Sequence, residues 1–462
     1  MIPITCRKDQ HLALFGLGGS GIVTAEALVA GGVNVVAYDD NPASVEKAKA
    51  KSIRTMDLRN SDFSKFDALV LSPGVPLTHP KPHWTVEMAK ASDLPIIGDV
   101  SLFAEERSNV CPDSPFIAIT GTNGKSTTTA LVSHVLSHSG CNVQMGGNIG
   151  RAVLSLDPFN VNHHYVVECS SYQIDLAPNL DASIGILLNL APDHLDRHGT
   201  MEHYGEVKSR LVYQSETAII GIDDPHTRPI AAAMSKRKSN PVTISNQNQL
   251  GADFFLDGGY LISKQSGTLI NLATIPTLQG MHNAQNAAAA YAVCKRLRIP
   301  ADAIERGLAT FPGLAHRMEI LGDASNIRFV NDSKATNADA AAMALASFDR
   351  IYWIAGGLAK DGGIESLRPL FDRIVSAYLI GEAAPEFAST LGGNTMFEIA
   401  GTLDLAVERA VKDATLANQS ATILLSPACA SFDQFANFEL RGEAFREAVH
   451  KVSGFKPFGE QA

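Results

Sequence analysis

The stretch that most constrains this chain is FIAITGTNGKSTTTA at 116–130. Phe116–Ile119 is an apolar run that reads as a buried strand, and Gly121, Thr122, Asn123 and Gly124 form a turn. Lys125, Ser126 and Thr127 then open an amphipathic helix through Leu131, Val132 and Val135. A strand passing through a glycine turn into a helix aims backbone N–H groups and a helix N-terminus at one point, which is how proteins hold phosphate. Lys125 adds a mobile positive charge, and the Ser126 hydroxyl is placed to ligate a phosphate-bound Mg²⁺. Strict phosphate-loop spacing asks for glycine five residues before Gly124, where Ile119 stands, so this loop is a shortened form whose first glycine is Gly121. Residues 121–127 therefore predict a nucleotide triphosphate site.

A chain of 462 residues exceeds one hydrophobic core, and two or three domains are expected. Hydrophobic residues make up 45% and charged residues 19%, which describes an ordinary globular protein rather than a disordered one. The net charge of −10 and the absence of a basic tract argue against nucleic acid as a partner. The six cysteines are scattered with no C-x-x-C pair, which suits a reducing cytoplasm better than a disulfide scaffold. No signal-like or membrane-length apolar run is present, so no membrane association is expected.

Ahead of the phosphate loop, His11–Phe15 reads as a strand leading into Gly16-Leu17-Gly18-Gly19-Ser20-Gly21. A helix from Ile22 to Ala30 and a strand Asn34–Tyr38 ending in Asp39-Asp40 follow. This is a Rossmann-like G-x-G-x-x-G unit that meets some phosphate-bearing ligand without specifying NAD. A further strand, Ala68–Leu71, runs into Ser72-Pro73-Gly74, and the polar stretch Glu105–Pro115 reads as a linker. Beyond the loop, Tyr165–Val167 delivers Glu168, and the run Ala182–Leu190 ends in DHLDRH at 193–198. A helix with Tyr204 and Lys208 one turn apart follows. Asn283 and Asn286 lie one turn apart on an alanine-rich helix, so both amides can face one flat ligand or cap the helix. From about Gly313, strands at Arg328–Val330, Ile351–Ala355, Ala377–Ile380 and Ala421–Leu425 alternate with helices. The expected fold is α/β in three domains: a Rossmann-like domain at 1–110, a central phosphate-loop domain with a parallel sheet at 111–313, and a Rossmann-like domain at 314–462.

TGTNGKST at 120–127, GGNIG at 146–150, ECSSYQ at 168–173, DHLDRH at 193–198, HNAQN at 282–286, HR at 316–317 and NDSKATN at 331–337 together resemble the ATP-dependent Mur ligases, which build the peptide stem of bacterial cell-wall precursors. The resemblance covers all three expected domains in order. NDSKATN and the closing SPACASFDQFANFELRG at 426–442 resemble the branch that adds D-glutamate to UDP-N-acetylmuramoyl-L-alanine; sister branches add other amino acids. The resemblance implies that Gly18, Gly19 and Ser20 approach the UDP diphosphate, with Asp39, Asp40, Ser72 and Gly74 near the uridine end. Asn148 and His194 would lie near the muramoyl part, Asn283 and Asn286 at adenine, Asp332 at the ATP ribose, and Arg317 and Lys334 at phosphates and reacting groups. Thr336, Lys360, Ser431 and Phe438 would surround D-glutamate. In the family an acidic residue often follows the double glycine 356–357; here Leu358 stands there and Asp361 comes later. The implied enzyme is a cytoplasmic monomer using ATP and two Mg²⁺ ions.

An amide cannot form from a carboxylate and an ammonium in water without activation, and ATP supplies it as an acyl phosphate. Positive charge must converge where a carboxylate meets a triphosphate, and Lys125 with the loop N–H groups answers that need. Glu168 and His194 leave neighbouring strand ends and are expected to share a second metal ion. The resemblance points to Lys208 as a lysine carbamylated by CO₂: an ammonium beside two cations would repel them, whereas a carbamate gives an oxygen ligand alongside Glu168, His194 and Ser126; the alternative is an unmodified lysine contacting substrate phosphate. The rival reading as an NAD-dependent oxidoreductase rests on residues 16–21 alone and leaves the phosphate loop unused. A nucleotide-binding regulator would not need Glu168, His194 and Lys208. Within the family, a sister ligase with another amino acid stays open. Gly313-Leu314-Ala315 is the expected hinge for closing the third domain.

Overall fold

The computed structural model describes residues 1–236, 240–248, 251–278, 280–359, 362–393 and 395–458. The chain divides into two compact units, Met1–Phe311 and Pro312–Ala462. Among the described residues the strands form three sheets, two in the first unit and one in the second.

The first sheet holds β1 (His11–Phe15), β2 (Asn34–Tyr38), β3 (Ala68–Leu71) and β4 (Ile96–Ile97). Its order is β2-β1-β3-β4 and every pairing is parallel. The second holds β5 (Phe116–Thr120), β6 (Asn142–Gly147), β7 (His163–Glu168), β8 (Ile184–Leu187), β9 (Thr217–Gly221), β10 (Val242–Ser245), β11 (Phe254–Asp257), β12 (Tyr260–Ser263) and β13 (Gly267–Asn271). Its order is β13-β12-β11-β10-β9-β8-β5-β7-β6, parallel except for the β11–β12–β13 meander. All five residues of β5 are buried, as a strand covered by helices on both faces requires. The connections run to one side of β5 through β6 and β7 and to the other through β8. The end of β5 is therefore a switch point, where open α/β sheets bind ligands. Register places Ile119 beside Glu168 and Thr120 beside Leu187, so the loops after β5, β7 and β8 open on one edge.

The first half of the stretch Glu105–Pro115 is helix, and only residues 111–115 connect that helix to β5. A helix runs Asp99–Val110, and its Glu106 and Arg107 are buried because each has partners. Glu106 accepts from Thr5 N at 2.6 Å and Cys6 N at 2.7 Å. Arg107 donates to the carbonyls of Ser114, Pro112 and Asp181 and to Ser183 Oγ. Charge-assisted bonds of this kind are worth ~1.5–3 kcal/mol each, and they fasten the first sheet's layer to the second. Polarity in sequence was a buried network, which periodicity cannot distinguish from a solvated loop. The run Ala182–Leu190 is also shorter as a strand, Ile184–Leu187, because Asn189 leaves the ladder.

The second unit contains β14 (Glu319–Ala324), β15 (Ile327–Asn331), β16 (Ile351–Gly356), β17 (Ile374–Ile380), β18 (Phe397–Gly401), β19 (Ala421–Leu425) and β20 (Phe455–Pro457). The order is β18-β17-β16-β19-β15-β14-β20, with β14 and β20 antiparallel to their neighbours. Buried Trp353 on β16 donates its indole N–H to Ser426 O at 2.8 Å, anchoring the loop after β19. No helix among the described residues is long and apolar enough to cross a membrane.

Candidate active site

The phosphate loop is built on two glycines with left-handed backbone, Gly121 at φ +154° and Gly124 at φ +81°. Gly124 caps the helix Lys125–His138, and a Cβ there would stand 2.5 Å from Asn286 Oδ1. The loop is held from outside: Thr122 N donates to Asn189 O at 2.9 Å, and Asn123 N to Asn189 Oδ1 at 2.8 Å. Thr122 Oγ1 lies 3.1 Å from the Tyr204 hydroxyl. Lys125 Nζ folds onto its own loop, at 3.0 Å from Gly121 O and 2.7 Å from Thr122 O. Ser126 is 9% exposed in the first turn of that helix, and Thr127 follows half-buried.

Glu168 ends β7 at 2% exposure. Its Oε1 accepts from Asn148 Nδ2 at 2.7 Å, while Oε2 is buried without a hydrogen-bond partner. Such an orphaned carboxylate oxygen calls for a ligand. Lys208 is 1% exposed on the helix Met201–Tyr213, with Nζ 2.8 Å from Gly121 O and 3.1 Å from Thr120 Oγ1. Burial first, then the neighbouring Lys125 charge, hold its amine well below ordinary lysine basicity. His194 sits in the loop after β8 at φ +52°, exposed, with Nε2 3.4 Å from Asp193. The adenine pair divides: Asn286 is buried, accepting from Thr128 Oγ1 at 3.0 Å and donating to Asn283 Oδ1 at 3.2 Å, whereas Asn283 is half-buried. Asn286 thus braces Asn283 one turn away on the same helix.

In the first sheet's layer, the glycines separate into two kinds. A Cβ on Gly21 would lie 1.8 Å from Gly16 O, so packing demands glycine there. Gly18 and Gly19 are exposed with nothing within 4 Å of a Cβ, leaving open space above the helix Gly19–Ala30 beside Ser20. Ser72 Oγ donates to Gly16 O at 2.6 Å. Asp39 accepts from Leu17 N and Asn41 N, fixing the turn after β2. Asp40 meets Arg59 at 2.7 Å, His83 at 3.2 Å and the Trp84 indole at 3.4 Å. Partial burial opposes ionisation, but these donors hold its carboxyl below the usual range. Gly74 O accepts from Arg197, which also reaches the carbonyls of Pro73 and Val75.

In the second unit, Asp332 is 5% exposed at the end of β15, accepting from Ser426 Oγ at 2.8 Å and Met318 N at 3.1 Å. Burial pushes its carboxyl up to about 7, against those bonds and the Arg317 charge. Lys334 Nζ stands 4.5 Å over the Phe438 ring. Thr336 is half-buried two residues on, and Ser431 is buried at the start of the turn before Phe438. Lys360 and Asp361 lie outside the described residues; Leu358 is 40% exposed and bridges Ala430.

Two residues escaped the sequence reading. Asn189 was absorbed into an apolar run, although a lone amide just before DHLDRH is a signal. Arg441 is 1% exposed and donates to Ser333 Oγ and O and to the carbonyls of Cys429 and Ala430. It ties the NDSKATN loop to the loop after β19, and nothing in its helical spacing announces that.

The fold and the loop at its switch point define a phosphate-loop α/β protein. Residues 119–294 match the Mur ligase middle domain family and residues 316–429 the Mur ligase, glutamate ligase domain family. The chain belongs to the Mur ligase family. A UDP-N-acetylmuramoylalanine–D-glutamate ligase from Agrobacterium fabrum is 58% identical over 461 residues, 98% of each chain. One of the same name from Brucella abortus is 56% identical, covering 99% of each. Among solved structures, a UDP-N-acetylmuramate-alanine ligase from Thermotoga maritima superposes with TM-score 0.56 at 17% identity, over 96% of this chain and 99% of that one. Crystal structure II of MurF from Acinetobacter baumannii gives 0.57 at 21% identity, over 75% and 79%. At these identities the structures attest the fold alone.

Proposed function

We infer that this chain joins D-glutamate to UDP-N-acetylmuramoyl-L-alanine using ATP, through an acyl phosphate. The observation that carries the chemistry is the pairing, at one sheet edge, of Glu168 with its orphaned buried oxygen and Lys208 with its weakly basic buried amine. The amino acid is argued from the names of relatives that align over nearly the whole chain.

In this reading the loop N–H groups of 121–126 and Lys125 hold the β- and γ-phosphates of ATP, with Asn283 at adenine, and the second unit carries Asp332, Arg317 and Lys334 as its own nucleotide-binding candidates. Gly18, Gly19 and Ser20 face the UDP diphosphate across the open space above their helix. The L-alanyl carboxylate attacks the γ-phosphorus, ADP leaves, and the D-glutamate amine then attacks the acyl carbon and expels phosphate. Lys125 stabilises charge on the transferring phosphoryl oxygens. A neutral Lys208 amine adds to the carbon of CO₂ and gives up a proton, leaving a carbamate. That oxygen donor, with Glu168, His194 and the Ser126 hydroxyl, makes a set suited to Mg²⁺. Bound there, Mg²⁺ would neutralise phosphate charge. Thr336, Ser431 and Phe438 shape the D-glutamate site in the second unit, and Arg441 fixes the loops that carry them.

Phosphate release from ATP with UDP-N-acetylmuramoyl-L-alanine and a panel of amino acids tests the reading. Release dependent on D-glutamate supports it. Release driven by another amino acid instead would make the chain a sister ligase.

A further inference from the structure

One potential ligand atom from each of Asp175, His198 and His203 lies within 4.8 Å of the other two. We propose that these three side chains form a site for one zinc-type divalent cation, separate from the Mg²⁺ chemistry at Glu168.

The three come from successive pieces of chain: the helix Ser171–Asp175 after β7, the turn Leu195–His198, and the first turn of the helix Met201–Tyr213. His198 is 2% exposed, and its Nδ1 is buried without a partner. A buried nitrogen without a partner is a defect of the fold that a ligand at that atom would relieve. The other ring nitrogen, Nε2, lies 2.9 Å from Ser171 Oγ. A metal-bound histidine ordinarily gives its second N–H to such an acceptor, which fixes the tautomer that presents Nδ1. Asp175 Oδ1 accepts from Arg210 Nη1 at 3.1 Å, which orients the carboxylate and leaves Oδ2 as the ligand oxygen. Glu206 also meets Arg210, at 3.7 Å, so the arginine charge is shared. The His203 side chain is 32% exposed, with Nδ1 4.0 Å from Glu206.

Tetrahedral ligation by two imidazoles and a carboxylate brings ligand atoms to ~3.4 Å separation. Two nitrogens and one oxygen select zinc-type cations over Mg²⁺, which prefers an all-oxygen shell. The cation would brace the helix that carries Tyr204 and Lys208 against the end of β7.

The test is binding of Zn²⁺ to the purified full chain, in excess Mg²⁺, by equilibrium dialysis, with Co²⁺ absorption as a geometry probe and thermal unfolding as a second readout. One equivalent at micromolar concentration, a tetrahedral Co²⁺ spectrum and a raised unfolding temperature are expected. His203→Gln should weaken binding by at least about tenfold and abolish the thermal shift, while Glu168→Gln should leave both unchanged. Failure to take up Zn²⁺, binding unaltered in His203→Gln and Asp175→Asn, or binding lost in Glu168→Gln would each overturn the proposal.

Discussion

Asn189 holds both backbone polar groups of Asn123: its Oδ1 accepts from the Asn123 N–H at 2.8 Å, and its Nδ2 donates to the Asn123 carbonyl at 3.2 Å. The same Nδ2 donates to Gln285 Oε1 at 2.9 Å, and Gln285 Nε2 donates to Asp223 Oδ2 at 2.6 Å. The phosphate loop is thus held in shape by two amides in series that end on the Asp223 carboxylate, just past β9. Asn189→Ala should raise the KM for ATP and lower kcat/KM by about a hundredfold, because displacing a positioning group by an ångström costs that much. Steady-state kinetics alongside a melting curve check this. A lowered Tm with unchanged kinetics would make the clamp structural only.

Lys125 Nζ already sits among the loop carbonyls at 2.7 and 3.0 Å, ready to exchange them for phosphate oxygens. Lys125→Ala should cut kcat by about a thousandfold while the chain stays folded, since a preorganised charge at the transferring phosphoryl is worth several kcal/mol. Near-normal turnover in that variant would remove the loop lysine from the chemistry.

Lys208→Ala should lose nearly all activity, and formate or acetate should restore part of it by replacing the carbamate oxygens. With ¹³C-bicarbonate, NMR of the parent protein should show a carbamate resonance that the variant lacks. A parent spectrum without that resonance would leave Lys208 as an unmodified amine.

The first sheet's glycines give opposite expectations. Gly18→Val places its side chain in open space, so the protein should fold, with a raised KM for the UDP-sugar and an unmoved KM for ATP. Gly21→Ala puts a methyl 1.8 Å from Gly16 O, and overpacking against backbone should cost about 3 kcal/mol. Denaturation and two-substrate kinetics on both variants separate ligand clash from lost packing. Equal KM changes for both substrates in Gly18→Val would speak against the assignment.

Asp332 makes folding pH-dependent. Its carboxyl is pushed from 3.8 to about 7 by burial, so between those values the folded chain keeps a proton that the unfolded chain has lost. Stability therefore falls as pH rises through that window, by roughly 4 kcal/mol at most. Asp332→Asn should remove that slope. Urea midpoints from about pH 4 to about pH 8 for both proteins give the comparison, and parallel profiles would contradict it.

The local signals were legible because each needs only neighbouring residues. Phe116–Thr120 could be read as a buried strand and Gly121–Gly124 as a phosphate turn because apolar runs and glycines act over a few positions. Strand ends at Phe15, Tyr38 and Leu71 were equally plain. The stretch Glu105–Pro115 misled because Glu106 and Arg107 find their partners at Thr5 and Asp181, about a hundred and about seventy residues away. Burial of a charge depends on partners that chain order does not reveal.

The sequence by itself determined the glycine turn after β5, the alternation of strand and helix, and the polar side chains placed at strand ends, since strand, turn and helix propensities are local. Only the tertiary structure decided that Asn286 braces Thr128 and Asn283, that one oxygen of Glu168 is orphaned, and that Lys208 is a buried amine beside Gly121. Desolvation and hydrogen-bond satisfaction depend on everything that surrounds an atom, and those surroundings exist only once β5, β7 and β8 lie side by side.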